Sequence, residues 1–170
     1  MAAELPLAFK TFRTTRFHML RELEGLSQDD LLAIPEGRDD NVLWNVGHLL
    51  CSLARLTYVR SGFALPIPEP YLALFGKNTT ARDWTDTPDA DEVFGHFHAL
   101  PGQIEADYAS GRFSRYEPLE LAPGHTVESV EEAIAFHCFH EGLHIGMIIS
   151  VKELLGLGVV PLRTNTGVKQ

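Results

Sequence analysis

The sequence predicts an all-α protein, most economically a four-helix bundle with a long crossover between its second and third helices. Apolar residues recur at steps of three and four in four separate stretches, and no series of alternating apolar and polar residues marks a sheet. A proline-rich connection of about 25 residues separates two of these stretches, which in helical bundles carries the chain across one end to a non-adjacent helix. At 170 residues the chain is expected to form one domain, residues 1–170, around a single core.

Helix one is expected from Leu5 to Leu23, where Leu5, Phe9, Phe12, Leu20 and Leu23 make an apolar stripe and Lys10, Arg13 and Arg21 point elsewhere. Gly25 ends it, and Ser27 with Asp30 marks a short helical turn before Pro35. The polar loop 36–41 can cap helix two, expected from Val42 to Arg60. Apolar residues nearly all round that helix suggest a buried, central position. At 100° per residue, Asn41, Trp44, Ser52 and Arg55 fall within about 40° of His48, and Cys51 within about 60°. Gly47, lacking a side chain, allows a neighbouring helix to come close.

Pro66, Pro68 and Pro70 rule out a regular helix in the crossover, which has room for one helical turn from Tyr71 to Phe75 and then a polar run to Asp86. Thr87-Pro88 is the expected start of helix three, with Asp89, Asp91 and Glu92 where the helix dipole favours carboxylates. Val93, Phe97, Leu100, Ile104 and Tyr108 give its stripe, and Pro101-Gly102 should kink or split it. His96 and His98 lie about 200° apart, cannot both face one site, and are read as non-ligands. The stretch 111–125 is expected as loop, with Pro118, Pro123 and Gly124 as breakers. Helix four opens on the capping box Ser129-x-x-Glu132 and runs to about Leu155. The tail from Gly158 should be ordered only by packing against the bundle.

An apolar fraction of 45% and a charged fraction of 22% belong to a soluble globular protein, and no run approaches 18 consecutive apolar residues. A formal charge of -9 without a Lys/Arg cluster disfavours nucleic-acid phosphates and anionic membranes as partners and leaves a small-molecule substrate. Glu4 and Pro6 stand where a signal peptide needs a basic start and an apolar run, so a cytoplasmic location is expected, with Cys51 and Cys138 as thiols.

The chemistry concentrates in helix four, in His137-Cys-Phe-His-Glu-Gly-Leu-His144. Taking His140 as zero, His144 falls at about +40° and His137 at about +60°, so three imidazoles share one stripe, and Cys138, at about 160°, cannot join them. Side chains at i and i+4 stand about 5–6 Å apart at Cβ, which lets two ring nitrogens converge on one divalent ion. One histidine from helix two and two from helix four would supply three neutral ligands and leave a position open to water or substrate, the form of a catalytic rather than a structural site.

The same letters spell His140-Glu141-x-x-His144, the zinc-protease pattern. That chemistry needs a further ligand after the motif. Only Glu153 follows among acids and histidines, about 180° round the helix. Peptide hydrolysis therefore fits poorly, and Glu141 remains a candidate base beside a metal-bound water in another reaction.

Asn41-Val-Leu-Trp-Asn-Val-Gly-His48 in helix two and Phe139-His-Glu-Gly-Leu-His-Ile-Gly146 in helix four resemble the DinB-like (YfiT-like) metalloenzymes, and the resemblance covers the chain from helix one to Leu155. It implies an up-down-down-up four-helix bundle, a divalent metal held by His48, His140 and His144, and, as is frequent in the family, a homodimer; imidazole suits zinc, nickel, iron and copper alike, and zinc or nickel is the metal expected foremost. His137 is extra to the pattern, either a fourth ligand or a supporting neighbour. Relatives with known chemistry include thiol-dependent transferases and a mycothiol-dependent maleylpyruvate isomerase, which implies a low-molecular-weight thiol as co-substrate. A metal-binding or stress-associated bundle without turnover is the alternative. Arg55, on the His48 stripe and roughly 10.5 Å along the helix, is the candidate for holding an anionic group of the substrate.

Overall fold

The computed structural model describes residues 5–159 and is mostly helical. The chain runs through α1 (Leu7–Leu23), α2 (Gln28–Leu32), α3 (Val42–Ala54), α4 (Tyr71–Phe75), α5 (Ala90–Ala109), a hairpin of β1 (Leu119–Ala122) and β2 (His125–Val127), and α6 (Val130–Leu154). The long elements α1, α3, α5 and α6 are helices one to four of the sequence reading. Helix α6 packs on α1 and α3, and α3 also packs on α5, so α3 and α6 run through the middle. Phe9, Phe12 and Met19 of α1, Leu43, Leu49 and Leu53 of α3, Phe97 and Ile104 of α5, and Ile134 and Ile148 of α6 fill the space between them. The extreme C-terminal residues of the expected tail, 160–170, lie outside the described residues.

The ends of the helices follow from their caps. Asn41 Oδ1 accepts from the Trp44 amide at 2.8 Å, and Ser27 and Asp30 cap α2 reciprocally. At α6, Ser129 Oγ accepts from the Glu132 amide at 3.2 Å, but the Glu132 carboxylate takes the Glu128 amide instead of that of Ser129. Each such cap contributes about 1 kcal/mol. The start of α5 differs from expectation: Asp89, not Thr87, is the cap and accepts from the Glu92 amide.

Pro101 lies inside α5, which runs unbroken through it, so the helix is not split there. Proline at that position leaves the Phe97 carbonyl, four residues back, without its amide partner. Arg16 of α1 supplies the donor, with Nη1 at 3.2 Å from that carbonyl and the guanidinium 3.6 Å from the Phe97 ring centroid. A neighbouring helix thus satisfies the group the proline exposes.

Helix two departs from regular geometry at its end. From Arg55 to Val59 the chain makes a π-helical turn, in which the Arg60 amide bonds to the Arg55 carbonyl. Thr57 Oγ1 accompanies it, donating to the Leu53 carbonyl at 2.7 Å, the acceptor an α-helix would offer to its amide. The expected loop 111–125 is partly a hairpin as well: Pro123-Gly124 is its turn, with Gly124 at φ 78°.

By length and composition α6 is apolar enough to cross a membrane. In this fold one face of it packs on α1 and α3, and its Lys152 is buried against Glu22 of α1, with Nζ at 2.8 Å from both the carboxylate and the backbone carbonyl of Glu22.

Candidate metal centre

His48 projects from α3 and His140 and His144 from α6, and one ring nitrogen of each lies within 4.8 Å of the other two. His140 Nε2 and His144 Nε2 are 3.1 Å apart. Two nitrogens ligating one ion tetrahedrally at about 2.0–2.1 Å would sit roughly 3.3 Å apart, so the pair is already spaced as ligands. The i, i+4 spacing on α6 sets this distance, and packing of α3 on α6 brings in the third ring.

Hydrogen bonds fix which nitrogens are free. His48 Nδ1 is 2.8 Å from the Phe75 carbonyl, which can only accept, so Nδ1 carries the proton and Nε2 the lone pair. His144 Nδ1 is 2.7 Å from Asn45 Oδ1. The orientation of that amide is set by its own donors, since Asn45 Nδ2 donates to Asp40 Oδ2 at 2.9 Å and to the Asn41 carbonyl at 2.8 Å. Asp40 is held in turn by Arg38. His140 Nδ1 is 3.2 Å from Ser52 Oγ, which can take its proton. With Nδ1 protonated on each ring the Nε2 atoms keep their lone pairs, and one ring nitrogen from each histidine within 4.8 Å of the other two suits a cation between them.

The electrostatics agree. Burial pushes His144 down to about 3 and His140 down to about 4, and repulsion among the imidazoles adds to both shifts. His48 is also lowered, by burial first. All three rings are neutral at pH 7, as metal binding requires. Trp44 stacks on His48 at a centroid separation of 4.9 Å and Phe136 lies parallel to His140 at 6.2 Å, which restricts both rings.

Gly47 has the part expected of it. A Cβ there would overlap the Phe75 ring, so glycine lets α4 come down on α3 and bring the Phe75 carbonyl to His48.

His137 and Glu141 stand elsewhere on α6. His137 is fully buried with its ring edge against Phe12 of α1, so it faces α1 although it shares the stripe by angle, and it lies outside the three-histidine cluster. The Glu141 carboxylate, 0% exposed, pairs with Arg16 Nη2 at 2.5 Å and accepts from Thr15 Oγ1 at 2.8 Å. His137 Nε2 lies 3.6 Å from it, too far for a hydrogen bond. Burial works against the Glu141 anion, but His137, Arg16 and Thr15 together hold its pKa below the ordinary range. The carboxylate is thus engaged by Arg16 and Thr15 of α1, with His137 beside it.

Beside the cluster opens a cavity of about 690 Å³ lined by His48, Cys51, Ser52 and Arg55 of one stripe, and by His140 and Phe136 of α6. Arg55 therefore lines the same space as two of the histidines. Burial pushes the Cys51 thiol up to about 12, so it is protonated and no nucleophile at neutral pH. Sequence reasoning passed over Asn45 and the Phe75 carbonyl as supports of the histidines. Asn45 left a signal, being the one amide in the apolar run from Val42 to Leu50; a backbone carbonyl leaves none.

No curated protein matches the chain. A family model described as the DinB superfamily matches residues 11–148, which takes in most of α1, the three clustered histidines and most of α6. The chain belongs to the DinB superfamily.

Proposed function

We propose that this protein is a metal-dependent enzyme, built on an up-down-down-up four-helix bundle, that uses a low-molecular-weight thiol to transfer or isomerise a small substrate. The observation that carries the reading is the convergence of one ring nitrogen from each of three histidines, two with tautomers set by Phe75 and Asn45, at the wall of a cavity large enough for substrate. The donor set, three neutral imidazoles, suits zinc or nickel. A divalent ion there lowers the pKa of a thiol or water placed on it and so supplies a nucleophile at neutral pH.

The chain's own residues do the rest. His48, His140 and His144 hold the ion, and Asn45, Ser52 and the Phe75 carbonyl keep their Nδ1 protons turned outward. Arg55 holds an anionic group of the substrate at a distance from the ion, and Phe136 and Leu56 close the apolar side of the cavity against water. No proton transfer is assigned to Glu141, which ties α6 to α1. That also weighs against a hydrolase of the His-Glu-x-x-His kind, where the glutamate must reach a metal-bound water.

The reading includes a cytoplasmic homodimer. Phe139 and Leu143, 62% and 51% exposed on the outer face of α6, supply apolar surface for a second copy. Light scattering giving about 19 kDa at micromolar concentration, the mass of one chain, removes the dimer from the reading.

The functional test is a panel of low-molecular-weight thiols with electrophilic substrates, run on metal-loaded, chelated and reloaded protein. Thiol consumption that stops on chelation and returns on reloading supports the proposal. Stoichiometric metal with no turnover across the panel favours the non-catalytic alternative, and turnover indifferent to chelation removes the metal from the mechanism.

A further inference from the structure

The cavity has a chemical polarity that the histidine cluster does not explain. Besides the cluster residues its wall carries three cations, Arg55, Arg60 and Lys77, and two carboxylates, Glu117 and Glu120. Arg60 is engaged: it lies 3.5 Å from the Glu117 carboxylate, and its backbone carbonyl accepts from the Glu117 amide at 2.7 Å. Glu120 is engaged too, accepting from the Gly124 amide. Arg55 and Lys77 make no ion pair or side-chain hydrogen bond among the described residues. The Gly124 amide does not neutralise Glu120, so three cations face two carboxylates and the wall keeps a net charge of +1, opposite in sign to the formal -9 of the whole chain.

The rest of the wall is apolar. Leu56 and Val59 belong to the α3 end and its π-helical turn, Phe136 to α6, and Leu119 and Leu121 to the hairpin. The hairpin is held in place through Arg60, the residue closing the π turn. In a continuous α-helix Arg60 would lie about 140° round from Arg55, whereas a π turn of about 4.4 residues brings it to roughly 50°. The turn therefore puts Arg60 where it can fasten the hairpin, and the hairpin places its leucines opposite Leu56 and Val59.

We propose that this cavity binds an amphipathic monoanion, with an aryl or short alkyl body between Leu56, Val59, Phe136, Leu119 and Leu121 and its anionic head on Arg55 and Lys77. This deepens the functional reading by naming the class of the second ligand, and rests on that reading only for placing the reacting end at the histidines. The apolar walls provide the burial and the two cations select against neutral molecules of the same shape.

The test is direct binding, measured by calorimetry on metal-loaded and metal-free protein with 2-naphthoate, its neutral counterpart 2-naphthylmethanol, and acetate. Naphthoate is expected to bind both forms, with naphthylmethanol at least about tenfold weaker and acetate undetectable. Arg55→Ala should weaken naphthoate about tenfold and Arg55→Ala/Lys77→Ala further, while naphthylmethanol is unchanged by either. Leu121→Ser in the hairpin should weaken both aromatic ligands alike. Absent naphthoate binding, equal affinity for the neutral counterpart, or full affinity in the double variant overturns the proposal. Binding that vanishes on chelation also overturns it, because the head would then sit on the metal, and leaves the thiol reading standing. Binding as expected beside turnover indifferent to metal overturns that reading and leaves this one.

Discussion

Replacing Asn45 by leucine tests how the protein prepares its histidines for metal. The change keeps roughly the volume of a buried side chain but removes the acceptor 2.7 Å from His144 Nδ1. Its cost differs between metal-free and metal-loaded protein. Without metal, His144 can move its proton to Nε2 and donate to His140 Nε2, 3.1 Å away, so no donor is stranded. With metal on Nε2 the proton must sit on Nδ1, where leucine offers nothing and His144, 5% exposed, has little access to water. A stranded buried donor costs about 1–3 kcal/mol, and lost supports of this kind weaken metal binding about 10- to 100-fold. The loss of the Asn45 donors to Asp40 and Asn41 falls on both forms and cancels from the affinity. The assay is competition with a chelator of known strength, with thermal unfolding of metal-free protein reporting damage to the fold. A dissociation constant within about twofold of the parent, in a protein that still folds, refutes the tautomer argument.

Single alanine replacements of His48, His140 and His144 should each abolish stoichiometric metal after purification, whereas His137→Ala should retain it; a full complement in any of the first three removes that residue from the ligand set. Gly47→Ala, by forcing its Cβ against the Phe75 ring, should destabilise the fold by about 1–3 kcal/mol in denaturant titration and lower metal affinity, since the Phe75 carbonyl moves with the ring; an unchanged midpoint contradicts the close approach. Arg16→Met should cost about 3–5 kcal/mol by leaving Glu141 charged and unpaired, and adding Glu141→Leu should recover part of it; a single change costing under about 1 kcal/mol excludes the buried pair as an organiser. Metal-free protein should lose stability on acidification. His140 and His144 hold their folded pKa near 4 and 3 against about 6.5 unfolded, so between those values the unfolded chain binds more protons and stability falls as pH drops below about 6.5, with no effect of these groups above it. A melting temperature flat from pH 7 to 4 contradicts the lowered values.

Much of this was legible in the sequence because it is local. Asn41, Ser27 and Ser129 announce helix starts through their own side chains, and the spacing of His140 and His144 follows from the helical repeat. What escaped depends on partners far along the chain. Pro101 reads as a breaker until Arg16, 85 positions earlier, is seen to take the orphaned Phe97 carbonyl. His137 falls on the ligand stripe by angle, yet about 60° is enough to turn it from α3 to α1 once both helices are packed against α6. The hairpin was hidden because Leu119–Ala122 lacks a full alternation and Pro123-Gly124, its turn, looks like any loop punctuation.

The bond from His48 to Phe75 joins the histidine cluster to a crossover segment that supplies none of its three histidines. For α4 to lift away, the His48 proton must lose its acceptor, so local opening of the crossover and escape of the ion become linked events. Occupancy should then slow hydrogen exchange at the Gly76 amide, which closes α4 on the Leu72 carbonyl, although nothing there touches the ion. At ion concentrations a hundredfold above the dissociation constant the protection gained can approach about 2.7 kcal/mol, the full linkage, if opening requires release. With an ion bound, the crossover would then act as a latch whose breathing limits how fast the ion leaves.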